Sequence, residues 1–393
     1  MALGSLCVPL ETKMTCSIAQ DIIDHIIDHL HDSPETLREC CLVAKSWVYQ
    51  ARWHLFNRVR FTPTRHIAQW RETFPDTENS PARHVRNLTI DHAYLVTPAD
   101  VNILLAFRRV SHLKVNPHPR RRSPDRVSLV PLYGLSPVVK SLCLVLGNLK
   151  NSETFGIICS FPLLEDLSVV GIANLNQDDD LWDPPFTSPR FTGSLELHLE
   201  QGIHSITSQL LSLPNGLHFR TISVRWFFQA DIEPTMDLVS RCSDTLQSLT
   251  LIDSVTCTFH LASAQRSLIS SCPRPDASHA TPLDLSQTTK LTDIQFQCNR
   301  PNVLWVAETL RTANIDNLQK VSLYVSSFVI ALGDRYGEWP NLDHLFVLLW
   351  YSHSLRPTLT YKPGRDYKDL ADGIAMLLPE STRRVAIKVV KQE

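Results

Sequence analysis

Apolar residues recur along most of this chain at a nearly fixed interval, and that recurrence limits its possible folds more than any other feature. Triplets of the form apolar-x-apolar begin at Leu88, Leu113, Leu142, Leu167, Leu195, Ile222, Leu249, Ile294, Val321 and Leu345. Successive intervals are 25, 29, 25, 28, 27, 27, 45, 27 and 24 residues, so all but one fall between 24 and 29. Three residues ahead of these triplets stands a second apolar column: Val85, Val110, Val139, Leu164, Phe219, Leu246, Leu291, Leu318 and Leu342; only Thr192 breaks it. Two copies share a lead-in, Phe161-Pro162-x-Leu164-x-x-Leu167 and Trp339-Pro340-x-Leu342-x-x-Leu345. In a strand, residues i and i+2 point to one face, so each triplet is one strand's contribution to a core. A patch that small cannot bury itself and needs the next copy stacked beside it.

The segments between triplets have helical character. Thr97-Pro98-Ala99-Asp100 has the chemistry of a capped helix start, followed by Val101, Leu104, Leu105 and Phe107. Residues 237–242 and 303–310 read similarly. One strand and one helix per unit, stacked in parallel, gives an α/β solenoid. The period and the apolar-x-x-apolar-x-apolar pattern resemble leucine-rich repeats. Where such repeats place an Asn after the triplet, this chain has Ala93, Gly147, Ser254 and Ser326, so no Asn ladder is expected and the repeat should be irregular. Residues 84–393 are therefore expected to form an irregular leucine-rich-repeat-like solenoid of parallel strands plus helices. An insertion loop rich in Ser, Thr, Pro and Ala is predicted at about 262–290, and a capping strand at 385–389. Positions between and after the inward pair face the other way: Asp91, Asn116, His198, Arg225, Gln297 and Tyr324. On a concave sheet they would form a mixed polar surface able to bind a target protein, although solvating the sheet is the plainer role for any one of them.

The N-terminal part has a different texture, IIDHIIDHLHDSPETLRECCLVAKSW over 22–47. On a helix, Ile18, Ile22 and Ile26 with Ile23, Ile27 and Leu30 cover roughly half the circumference, more than one buried stripe requires. Gln20, Asp21, Asp24, His25 and Asp28 form the polar side, with the Asp21 and Asp24 carboxylates early and His29 and His31 late, as the helix dipole favours. Ser33-Pro34 suits a second helix start, and Leu37, Cys40, Cys41 and Ala44, then Trp47, Val48, Ala51, Leu55 and Phe56, continue at helical spacing. Three short helices over 14–58 make a marginal core alone.

The ordered combination Ile18-Ala19-x-Asp21-Ile22-Ile23-x-x-Ile26-Ile27-x-x-Leu30, then Leu37-x-x-Cys40-Cys41-Leu42-Val43-Ala44-Lys45-x-Trp47, resembles the F-box, in the variety abundant in fungal proteins. Ile18-Ala19 stand where that family has Leu-Pro, and Ala44 where it has Ser. The resemblance implies a three-helix F-box-like unit docking to the small Skp-type adaptor of a cullin-based ubiquitin ligase, through Ile18, Ala19, Ile22, Ile23, Val43, Ala44 and Trp47. The surplus apolar arc would then be the adaptor's half of a shared core. The whole chain would be a substrate receptor that captures a target protein and catalyses nothing itself. Two rival readings are a leucine-rich-repeat scaffold whose helices merely cap the stack, and an enzyme with a dispersed site.

Composition narrows the partners. At 393 residues the chain exceeds the ~250–300 at which single cores stop growing, so an elongated or divided fold is expected. With 43% hydrophobic and 20% charged residues it is globular, and a net charge of -2 supplies no global field for nucleic acid or an anionic membrane. The ten Cys include no C-x-x-C, so buried free thiols in a reducing, cytoplasmic or nuclear compartment are expected. MALGSLCVPLETK lacks the pattern of a signal peptide, and no apolar run reaches the length of a membrane span.

No G-x-S-x-G, P-loop or G-x-G-x-x-G occurs, so no catalytic residue and no cofactor is expected. His25 and His29 have metal-ligand spacing beside Asp21, Asp24 and Asp28, but read better as a solvated face, and no metal is expected. Cys40 and Cys41 read as core thiols. Arg120, Arg121 and Arg122, in the 116–126 loop, and Asp178, Asp179 and Asp180, in the 176–190 loop, read as charged loops. Trp226-Phe227-Phe228 reads as buried core.

Overall fold

The computed structural model describes residues 19–62, 67–91, 100–116, 132–133, 135, 137–146, 151–172, 188–201, 203–226, 231–253, 282–298, 303–326, 339–362, 374, 376–384 and 386–391. Three helices come first: α1 (Gln20–Asp28), α2 (Pro34–Val43) and α3 (Lys45–Phe56). The rest is built on one open parallel sheet. Its strands are β1 (Arg58–Phe61), β2 (Asn87–Asp91), β3 (His112–Asn116), β4 (Ser141–Leu146), β5 (Asp166–Ile172), β6 (Ser194–Gln201), β7 (Thr221–Trp226), β8 (Ser248–Asp253), β9 (Asp293–Cys298), β10 (Lys320–Ser326), β11 (Thr358–Lys362) and β12 (Lys388–Lys391). They lie side by side in chain order, each parallel to the next, which is the arrangement of a solenoid. Helices α4 (Ile67–Thr73), α5 (Val101–Leu104), α6 (Asn151–Cys159), α7 (Ile203–Leu211), α8 (Ile232–Arg241), α9 (Val303–Thr312), α10 (Trp339–His353) and α11 (Pro379–Arg383) lie in the connections.

The triplets set the register. Leu88, Leu113, Leu142, Leu167, Leu195, Ile222, Leu249, Ile294 and Val321 fall opposite one another along β2 to β10. Their i+2 partners, from Ile90 through Val115, Leu144, Val169, Leu197, Val224, Leu251 and Phe296 to Leu323, make a second row, and both rows are buried in one continuous core. The column three residues ahead, including Val85, Val110, Val139, Leu164 and Leu246, is buried with them.

A repeated backbone device brings each turn into its strand. The Arg86 carbonyl accepts from the N–H groups of Ser111 at 2.9 Å and His112 at 3.0 Å, and Ser111 in turn accepts from Lys140 at 2.8 Å and Ser141 at 3.0 Å. The pattern continues through Lys140, Arg220, Gln247 and Thr292. These shared carbonyls lie two residues ahead of each triplet and tie the start of each strand to the next. The Gln247 carbonyl receives Thr292 at 2.9 Å and Asp293 at 3.0 Å, so the long interval leaves this device unbroken.

Four expectations are corrected. Leu345 lies in α10, not in a strand: Leu342, Leu345, Phe346 and Leu349 are buried at the i, i+3, i+4, i+7 spacing of a helix face. The insertion ends earlier than expected, because Leu283 and Leu285 are core residues and their N–H groups donate to Thr309 Oγ1 at 3.1 Å and Thr312 Oγ1 at 2.9 Å. The last strand begins at Lys388 rather than at Val385, which lies outside the described residues. The sheet begins at Arg58, ahead of residue 84. The gap at Thr192 is filled by its neighbour. Phe191 takes φ 41°, turns inward and is buried with its ring 5.1 Å from Phe219.

The N-terminal helices bury their own small core of Ile23, Ile27, Leu37, Cys40 and Ala51, with Leu30, Cys41, Trp47 and Leu55 packed against it, separate from the core under the sheet. Pro34 opens α2 as expected, but the Ser33 hydroxyl bonds Thr36 Oγ1 at 2.8 Å rather than a backbone N–H. Helix α3 joins the two parts: Tyr49 meets His84 edge-on at 5.3 Å, and Phe56 meets Trp70 and Phe74, each at 6.0 Å.

Two measurements check this packing. Phe219→Ala removes a fully buried ring shared by two turns and should cost about 3–5 kcal/mol in urea unfolding. A Cβ at Gly193 would sit 2.2 Å from Asp166 Oδ1, which accepts from Ser194 N at 2.6 Å and Ser194 Oγ at 2.7 Å. Gly193→Ala should therefore destabilise by about 1–3 kcal/mol, and by less in an Asp166→Ala background.

Candidate functional site

Two surfaces carry side chains that the fold does not use up. On the helical unit, α1 is apolar on two sides. Ile23 and Ile27 point into the small core, while Ile22 and Ile26, one residue earlier in each turn, are 55% and 45% exposed. At the end of α2, Leu42 and Val43 are 87% and 63% exposed. Of the residues expected to meet an adaptor, Ala19 and Ala44 are exposed, Ile22 and Val43 are exposed apolar, Ile23 is buried, and Trp47 is half-buried against the core. Ile18 lies outside the described residues. Ala44 is extended, with φ -154°, and this separates α2 from α3.

Polar contacts fix the pose of α1. Gln20 Nε2 donates to Asp24 Oδ1 at 2.7 Å and to the Ser46 carbonyl at 3.0 Å. Asp28 Oδ1 accepts from Gln50 Nε2 at 2.5 Å and lies 2.7 Å from His54 Nε2. The bond from His54, then that from Gln50, holds the Asp28 carboxyl below its ordinary range. His25 and His29, one turn apart, are exposed, with Nε2 atoms 3.3 Å apart.

On the sheet, the expected target-binding residues fall in one lateral row. Val170, His198, Arg225, Ile252, Gln297, Tyr324 and Thr360 are successive partners from β5 to β11. Asp91 and Asn116 pair at the other end. Burial divides the six. Asp91 is buried, bound by Arg60 Nε at 2.5 Å and by Asn116 Nδ2 at 3.3 Å, so this pair ties strands together. His198, Arg225, Gln297 and Tyr324 are half-buried. A neighbouring row, Lys114, Cys143, Ser168, Glu196, Ser223, Thr250 and Gln295, completes a mixed polar face in the middle of the sheet. Sequence reasoning missed Arg60, Glu196 and Ser223, which the same two-residue alternation marks as outward.

That face holds a serine, a histidine and a glutamate in contact. His198 Nε2 lies 3.3 Å from Ser223 Oγ and 4.0 Å from Glu196 Oε1. Both partners approach the same ring nitrogen, whereas a nucleophilic relay needs the carboxylate on the opposite one. Glu196 Oε2 instead accepts from Ser168 Oγ at 2.7 Å. The group is a polar network, not a hydrolytic triad. Among the described residues no group of three or more His, Cys, Asp or Glu could hold a metal ion, and no helix is long and apolar enough to cross a membrane. Burial pushes the Cys159 thiol up to about 12 and the Cys242 thiol up to about 11. Arg120 to Arg122, Asp178 to Asp180 and Phe227-Phe228 lie outside the described residues. No protein-family model matches the chain, and no curated protein matches it.

Two outcomes follow from these environments. Cys159 and Cys242 should resist alkylation by iodoacetamide at neutral pH in the folded protein and react after unfolding, read by mass spectrometry. Burial, with Arg83, Arg109 and Arg52 for His84 and with Arg225 for His198, makes both imidazoles harder to protonate than usual. Below the ordinary histidine value of about 6.5 the unfolded chain then takes up more protons than the folded one, so stability falls as pH falls. The thermal midpoint should drop from pH 7.5 to about 5.5, and drop less in His84→Gln/His198→Gln.

Proposed function

We propose that this chain is the substrate-receptor subunit of a Skp-cullin-F-box-type ubiquitin ligase. The helical unit docks to a Skp-type adaptor, and through it to a cullin, and the outward face of the sheet captures a target protein. One observation carries the reading. Ile22 and Ile26 of α1 and Leu42 and Val43 of α2 stay exposed on a unit whose own core is small. Fully burying an exposed side chain of this kind is worth about 1.5–3 kcal/mol, and closing the remaining exposure of these four contributes a corresponding fraction each, which favours a partner of matching apolar character. The F-box resemblance implies contacts through Ala19, Ile22, Ile23, Val43, Ala44 and Trp47, and four of these six are exposed. In this reading the chain does no chemistry of its own. It raises the effective concentration of the target's lysines near a ubiquitin-carrying enzyme.

The rival reading, a repeat scaffold with a helical cap, is favoured by the aromatic contacts of α3 with the first turn. A cap leaves the four exposed apolar residues of α1 and α2 without a purpose.

The test is co-purification of the full chain with a recombinant Skp-type adaptor. Ile22→Ala and Trp47→Ala should each weaken binding, by about tenfold for Ile22, which lies outside the core. Trp47→Ala should also lower stability because that ring packs on the small core. Unchanged adaptor affinity in a folded Ile22→Ala protein, or no recovery of wild-type chain, favours the cap.

A further inference from the structure

β1 is an edge strand: it pairs with β2 on one side and with no other described strand. A cleft of about 390 Å³ runs beside it, lined by Arg58, Val59, Arg60 and Phe61 together. Successive side chains of a strand point to opposite faces, so a cleft that all of them line must follow the strand's free edge. One wall is aromatic, made by Phe56, Trp70 and Phe74, with the rings of Trp70 and Phe74 4.8 Å apart. The other lining is basic. Arg38, Arg58 and Arg60 are all exposed, and among the described residues no carboxylate lines the cleft. Arg60 uses Nε on Asp91, while Arg38 makes an exposed 3.8 Å contact with Glu35. Free edges normally invite unwanted pairing, and charged residues such as these decide what can pair.

We propose that this edge and its cleft are a docking site for an extended acidic segment of a partner protein, which adds to the sheet as a further strand. Main-chain bonds to β1 supply affinity, and alternate side chains supply specificity. Arg58 and Arg60 stand two residues apart on one face, so they select acidic residues at alternate positions. The residue between them faces the other way, towards Phe56, Trp70 and Phe74, and is apolar. Residues 1–18 of this chain contain one Glu and one Lys, so they lack the charge to be the occupant. The inference is independent of adaptor docking, because none of these arginines belongs to that surface.

The test uses the full chain and two fluorescein-labelled peptides of equal composition, Gly-Glu-Val-Glu-Val-Glu-Val-Gly and Gly-Glu-Glu-Glu-Val-Val-Val-Gly, followed by anisotropy. The alternating peptide should bind, and the blocked isomer should bind at least about tenfold more weakly. Arg38→Glu/Arg58→Glu should weaken the alternating peptide by about tenfold or more with an unchanged thermal midpoint, since both side chains are exposed and neither enters the core. N-methylation of alternate amides in the peptide should abolish binding. Equal affinity for both isomers would reduce the site to a non-specific charge effect and overturn the proposal. So would no measurable binding, or tighter binding of a single-stranded oligonucleotide than of the alternating peptide.

Discussion

A single turn of this chain cannot bury its own apolar face, and the rest of the structure depends on that constraint. Each turn exposes one strand's worth of Leu, Ile or Val to the next, and the shared carbonyls at Arg86, Ser111, Lys140, Arg220, Gln247 and Thr292 fix the stacking register. Such a stack is stable only if its ends are closed. At the start, Phe56, Trp70 and Phe74 cover the first turn. At the end, buried Asp343 in α10 accepts the N–H groups of Glu380 at 2.9 Å and Ser381 at 2.7 Å, which brings α11 and then β12 over the last turn.

Much of this was legible because the repeat writes itself in residue type. Nine triplets gave nine strands, in order and in register. The tenth failed because Trp339-Pro340-x-Leu342-x-x-Leu345 satisfies a strand pattern and a helix pattern at once, and Phe346 and Leu349 tip it to the helix. β1 carries the complete pattern, Phe56-x-x-Val59-x-Phe61, but it overlaps the end of α3, where helical spacing hides it. β11 has Leu359 opposite Leu323 in the second triplet position but Pro357 in the first and Ser354 where the column three residues ahead should be, and α10 lengthens the interval before it. Phe191 could serve in place of Thr192 only through a left-handed backbone, which periodicity does not encode.

The site was legible to a different degree. Alternation places residues on a face, so His198, Arg225, Gln297 and Tyr324 could be read as one outward row. It says nothing about partners contributed by other turns. Asp91 and Arg60 are separated by 31 residues in sequence, and their contact turns one expected recognition residue into a tie between strands. The exposed flank of α1 was legible because six apolar residues in three turns exceed what one interface can hide.

A polar sheet is joined to a helical unit that keeps part of its apolar surface open. We propose that this open surface is reserved for an adaptor. Hydrogen exchange of the full chain, with and without a purified Skp-type adaptor, tests it most directly. Slowed exchange confined to α1 and the α2–α3 junction, with β5 to β9 unchanged, is the expected result. Unaltered exchange in α1 at saturating adaptor, or protection spread over the sheet instead, would contradict it.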